Sequence, residues 1–170
     1  MKERIWAPWR GEYITATNKN DTECFLCDLV NVAPSSKNLL LYATENSMVV
    51  MNKYPYNNGH IMVVPKKHVN SFENLSEKEY KDLSDLLKLS TKVITDVFNP
   101  QGCNIGMNLG KVAGAGLDDH IHYHIVPRWN GDTNFMPVFT DIKVISEHII
   151  VSYERILKGF MEVCKWEHLD

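Results

Sequence analysis

The sequence predicts an α+β domain in which an antiparallel sheet packs on one long helix, with a second helix appended at the C-terminus. Three observations carry that reading. Short apolar runs bounded by turn residues fill segments 39–65 and 104–126, and a long amphipathic stretch runs from Ser76 to Phe98. A further helical stripe lies near the end of the chain. Residues 1–170 read as a single domain, with 1–23 as an irregular N-terminal arm carrying Trp6 and Trp9 around a proline.

In chain order, strands are expected at Leu39–Ala43, Ser47–Met51 and His60–Pro65. Asn57-Asn58-Gly59 is a turn signal directly before His60, which fits a hairpin returning from Met51. Ser76-Glu-Lys-Glu79 is a capping box that opens the long helix. Tyr80, Leu83, Leu86, Leu87, Val93, Ile94 and Val97 form its apolar face, and Asn99-Pro100 stops it near Phe98. Strands follow at Asn104–Leu109 and His120–Val126. The last helix is expected over Glu147–Trp166, with Val151, Ile156, Leu157, Phe160 and Cys164 buried and His148 and His168 at the surface.

The composition narrows the function. A formal charge of −3 over 170 residues gives no basic excess to hold a nucleic-acid backbone. No apolar run has the length of a membrane span, and the first residues lack the apolar core of a signal peptide. The cytoplasm is the expected compartment, so the four cysteines are not presumed to be disulfides. Cys103 and Cys164 read as buried thiols.

The most informative segment is His120-Ile-His122-Tyr-His124-Ile-Val126, which holds three of the seven histidines. On a strand such alternation turns all three imidazoles to one face, about 6.5 Å apart, with Ile121, Tyr123 and Ile125 toward a core. Three readings are open: a His-rich surface strand, a three-His zinc site, or phosphate chemistry on a histidine nucleophile. An imidazole of ordinary pKa, about 6.5, is largely neutral and nucleophilic at neutral pH.

Cys24-Phe-Leu-Cys27 has a common zinc-ligand spacing, although such pairs also serve redox chemistry. His68 and His120 are the candidates to complete a closed, four-coordinate structural zinc site. The glycine-rich segment Gly106–Gly116 fails as a P-loop, because Gly110-Lys111 precedes Val112 rather than Ser or Thr. As a loop between strands it still offers backbone N–H groups to phosphate oxygens, with Asn108 as a candidate donor. Asp118 and Asp119 read as turn residues. Trp6, Trp9 and Trp129 have two uses open to them, covering a base or burying a subunit interface.

Together these residues resemble the histidine triad superfamily, whose signature is three histidines alternating with apolar residues. The resemblance extends through Asn58-Gly59-His60-Ile-Met-Val-Val-Pro-Lys-Lys-His68 and Asn104-Ile-Gly-Met-Asn-Leu-Gly110. Ile5-Trp-Ala-Pro-Trp-Arg10, Met51–His60 and Arg128–Phe135 are similar to the bacterial branch described as diadenosine tetraphosphate phosphorylase-like. The resemblance implies a homodimeric fold that binds purine nucleotides or dinucleoside polyphosphates. It assigns His122 as the nucleophile on an α-phosphate, with His124 and His60 positioning phosphate and ring. Asn52 matches a ribose-binding position and Asn108 one near the phosphates. Cys24, Cys27, His68 and His120 match the ligands of zinc-bearing members. Many members carry Gly-Gln-Thr or Gly-Gln-Ser before the triad, whereas this chain has Gly114-Ala-Gly116-Leu-Asp-Asp. Backbone donors at Gly114 and Gly116 are expected to take over that role. The expected reaction is hydrolysis or phosphorolysis through a nucleotidyl-histidine, against two alternatives: hydrolysis of nucleoside phosphoramidates, and a non-catalytic nucleotide sensor.

Overall fold

A computed structural model describes residues 24–133 and 145–166, the latter without side chains beyond 163. The expected N-terminal arm with its Trp6 and Trp9, the end of the Arg128–Phe135 segment, and His168 lie outside these residues, as does the side chain of Cys164.

Five strands form one antiparallel sheet: β1 (Leu40–Ala43), β2 (Ser47–Met51), β3 (Ile61–Pro65), β4 (Gly102–Met107) and β5 (Tyr123–Arg128). Their order is β1-β2-β3-β5-β4, so the chain leaves β3, builds helix α1 (Glu77–Phe98) and β4, and returns to insert β5 beside β3. The capping box is present, with Ser76 Oγ accepting from Glu79 N and Glu79 Oε2 accepting from Ser76 N. Asn99 ends α1 in the left-handed region at φ 45°. Helix α2 (Ile149–Trp166) closes the described chain. The α+β expectation is borne out.

Every residue of β2 and β3 is buried, because both faces of the sheet are covered. Alternation sends Val49, Met51, Ile61, Val63 and Ile125 to the helical face, against Leu83, Leu86, Val93 and Ile94 of α1 and Tyr153, Ile156 and Phe160 of α2. Met48, Val50, Met62 and Val64 take the other face, covered by Leu26 from the Cys24–Cys27 segment. Leu26 is fully buried.

Several boundaries differ from the expectation. The strand expected at His120 begins at Tyr123: the residues before it leave the ladder with β3 and bond elsewhere, Ile121 N donating to Val69 O at 2.8 Å. The strand expected over Asn104–Leu109 runs over Gly102–Met107 and leaves Asn108 in the following loop. Tyr80 is 48% exposed, its ring edge-on to Phe72 rather than in the core. In α2 Val151 faces solvent, and Ser152 and Tyr153 are buried beside Ile156 and Phe160. Cys103 is half-buried and packs against the core. Among the described residues, no helix is long and apolar enough to cross a membrane.

Candidate functional site

On the sheet face opposite the helices lies a cavity of about 820 Å³. Phe25, Leu29, Val50, Met62 and Leu117 give it apolar walls, while Asn52, His122, His124, Gly114 and Gly116 supply polar groups. His124 lies on β5 opposite Met62 of β3 and Gly106 of β4, which places it on this face. His122 precedes the strand, buried at 7% exposure, with its ring edge-on to His124 at a 4.8 Å centroid distance.

The hydrogen bonds decide which nitrogen carries each proton. His122 Nδ1 lies 2.9 Å from the His120 carbonyl. A carbonyl only accepts, so Nδ1 holds the proton and Nε2 holds the lone pair. Tyr56 N–H donates to His60 Nδ1 at 3.0 Å, which leaves the His60 proton on Nε2. That nitrogen is 2.9 Å from His124 Nδ1 and donates to it. His124 in its neutral form therefore carries its proton on Nε2. The result is a base at His122 and a donor at His124, on neighbouring rings. Burial pushes the His122 pKa below its ordinary value, against the opposing pull of the His120 carbonyl, so the neutral imidazole is the favoured form.

Asn52 lines the cavity, its Oδ1 held by Tyr54 N–H at 2.9 Å and its amide nitrogen 3.5 Å from His60 Nε2. Asn108 is not among the lining residues; its amide donates to Gly114 O at 3.3 Å and ties down the glycine loop. Gly110 and Gly114 both have positive φ and bracket a single 3-10 turn, Lys111–Ala113. Asp118 lies 3.8 Å from Lys111 Nζ, in the loop where it was expected.

The first triad histidine faces a different cluster. Ligand atoms of Cys24, Cys27, His68 and His120 all lie within 4.8 Å of one another. His120 Nδ1 is 3.3 Å from Cys24 Sγ and 3.7 Å from Cys27 Sγ, and His68 Nδ1 is 3.2 Å from Cys27 Sγ. Tetrahedral zinc with ordinary Zn–S and Zn–N bonds sets sulfur–nitrogen edges of about 3.5 Å, so spacing and donor types fit that ion. His120 Nε2 donates to Pro65 O at 2.8 Å, which leaves Nδ1 as the ligating lone pair. Burial, then the neighbouring Cys24, pushes Cys27 up to about 11; a divalent cation among the sulfurs would favour the thiolates instead.

Two contributors carry no signal in a side-chain pattern. Tyr56 acts through its backbone N–H, and Phe25 reaches the cavity only because it sits between the two cysteines.

Fold and site together define an α+β protein with a histidine relay facing a cavity and a separate Cys/His cluster behind it. A model of the HIT domain matches residues 33–131, and the chain belongs to the HIT-domain family. It is 35% identical over 151 residues to the AP-4-A phosphorylase of Mycobacterium tuberculosis, covering 85% of this chain and 77% of that protein. It is 30% identical over 125 residues to the bis(5'-adenosyl)-triphosphatase of Dictyostelium discoideum, covering 73% of this chain and 82% of the relative. A Zn-bound histidine triad family protein from Mycobacterium smegmatis shares the fold, with a TM-score of 0.66, 22% identity, and coverage of 86% of this chain and 99% of that one.

Proposed function

We propose that this chain cleaves the α-phosphate linkage of a dinucleoside polyphosphate such as diadenosine tetraphosphate, through a nucleotidyl-histidine intermediate on His122. The observation that carries the reading is the His122 Nδ1 contact to the His120 carbonyl at 2.9 Å, which leaves the lone pair on Nε2 of a ring lining the cavity. In the first step Nε2 attacks the α-phosphorus; the bond to the leaving nucleotide's oxygen breaks as His124 Nε2–H donates toward the phosphate. In the second step water or inorganic phosphate attacks the nitrogen-bound phosphorus and frees His122. Splitting the transfer into two displacements lowers each barrier. Phe25, Leu29 and Leu117 suit the apolar faces of a purine, Asn52 a ribose hydroxyl, and the backbone at Gly114 and Gly116 the phosphate oxygens.

The reading includes zinc held by Cys24, Cys27, His68 and His120. When bound it would supply a rigid crosslink, since four protein ligands leave no open position. It also includes a cytoplasmic, single-domain homodimer. β4 is an edge strand exposed along most of its length, with Ile105 46% exposed, and suits pairing with a second copy. The relatives' names, a phosphorylase of AP-4-A and a bis(5'-adenosyl)-triphosphatase, support the substrate class.

Incubation with diadenosine tetraphosphate, with and without inorganic phosphate, tests the reading. ADP plus ATP appearing only with phosphate establishes a phosphorylase; AMP plus ATP in both conditions establishes a hydrolase. No turnover by a protein that still binds AMP overturns the reading in favour of a sensor, and turnover confined to adenosine phosphoramidate in favour of a phosphoramidase.

A further inference from the structure

We infer that Ser152, with Glu147 and Arg155, is a positioning group that holds His60 in register with His124; this rests on the relay read in the site above. Ser152 lies on the inner face of α2 and is fully buried, where an apolar residue would pack at lower cost. Its Oγ lies 2.9 Å from Asn58 Oδ1 and 2.5 Å from Glu147 Oε2, so a single proton serves two acceptors. Arg155 donates to Glu147 Oε1 at 2.7 Å and to the Val97 carbonyl at 2.9 Å, with its guanidinium over the Phe98 ring at 4.5 Å.

That ring in turn roofs the turn before His60. Gly59 sits at φ +73°, and a Cβ there would lie 2.7 Å from Phe98 Cε2. On the other side of the turn, Asn57 donates to Pro127 O at 2.8 Å and to Asp132 Oδ2 at 2.9 Å. Asn57, Asn58 and Gly59 are therefore gripped from β5 and from α2 at once, and His60 follows directly. The grip matters because the backbone contact from Tyr56 N–H to His60 Nδ1, at 3.0 Å, favours the tautomer with the proton on Nε2. A rotated turn loses that contact, His60 Nε2–H no longer meets His124 Nδ1, and the donor end of His124 is no longer fixed.

The test is Ser152→Ala in the full chain, which keeps the shape of the residue and removes the hydroxyl. Nitrogen-15 imidazole spectra are expected to show one His60 tautomer in the wild type and a mixture in the variant. With diadenosine tetraphosphate, kcat is expected to fall about tenfold with KM within about twofold. In a His60→Ala background the same substitution is expected to cost nothing more, because it acts through His60. An unchanged tautomer with unchanged kcat, or an equal loss in the His60→Ala background, overturns the inference. If no nucleotide is turned over, the proposed function fails while the spectra still decide this point. Should Ser152→Ala not fold, Glu147→Gln, partly exposed and isosteric, carries the same measurements.

Discussion

Removing the zinc proposed for the Cys24, Cys27, His68 and His120 cluster should destabilise the protein by an amount that the chain topology sets. Cys27 and His68 are 41 residues apart in sequence, and Cys24 and His120 are 96 apart. Treated as crosslinks, these closures remove about 4 and about 5 kcal/mol of denatured-chain entropy at 25 °C. They do not add, because the first closure already shortens the loop of the second. Loss of the metal should therefore cost at least about 4 kcal/mol, apart from any ligand bonds. For a chain of this size that lowers the melting temperature by roughly 8–16 °C. The assay pairs metal analysis of purified protein, expected to find about one zinc per chain, with thermal unfolding before and after chelation and after zinc is restored. No bound metal, or a chelated protein melting within about 2 °C of the loaded one, would refute the reasoning.

Four further outcomes follow from the geometry. His122→Ala should abolish turnover of diadenosine tetraphosphate, by about 10⁴-fold or more, with an unchanged circular dichroism spectrum. Leu26→Ala removes a fully buried side chain from under the sheet and should cost about 2–5 kcal/mol in denaturant unfolding. Gly59→Ala adds a Cβ against Phe98 at positive φ, about 1–2 kcal/mol from the backbone alone, and should depress kcat more than KM. Glu147 gives a pH-dependent signature. Burial raises its pKa, but the hydrogen bonds from Ser152 and Arg155 outweigh that and hold it below 4.5. A carboxyl depressed in the folded state stabilises above its unfolded pKa and loses that contribution as pH falls through the folded one. The gap in urea midpoint between wild type and Glu147→Gln should accordingly be open at pH 7 and closed near pH 3.

The elements were legible where local rules and tertiary packing agree. The α1 start was fixed by Ser76 and Glu79, whose side chains satisfy the helix's own first N–H groups. In the α2 stripe Ile156 and Phe160 are buried and Leu157 packs against the core, and the departure is at Val151, because periodicity ranks it above Ser152, whose hydroxyl bonds to the turn at Asn58. Spacing alone nominated Cys24 and Cys27, and the fold brings His68 and His120 to them from positions far along the chain. Tyr56 could not be found, since any residue except proline supplies a backbone N–H.

The histidine run shows how a correct motif can rest on an incomplete geometry. Alternation on a strand would give three equivalent imidazoles on one face, yet the ladder with β3 and β4 begins only at Tyr123. His120 lies beyond it, where its ring turns to the cysteines and its Nε2 meets Pro65 O. Its carbonyl, meanwhile, accepts a hydrogen bond from His122 Nδ1–H. One residue thus fixes the cluster through its side chain and the tautomer of His122 through its backbone. The run divides accordingly: His120 anchors, and His122 and His124 face the cavity. A change at the Cys/His cluster that rotates residue 120 therefore reaches the His122 lone pair through that hydrogen bond.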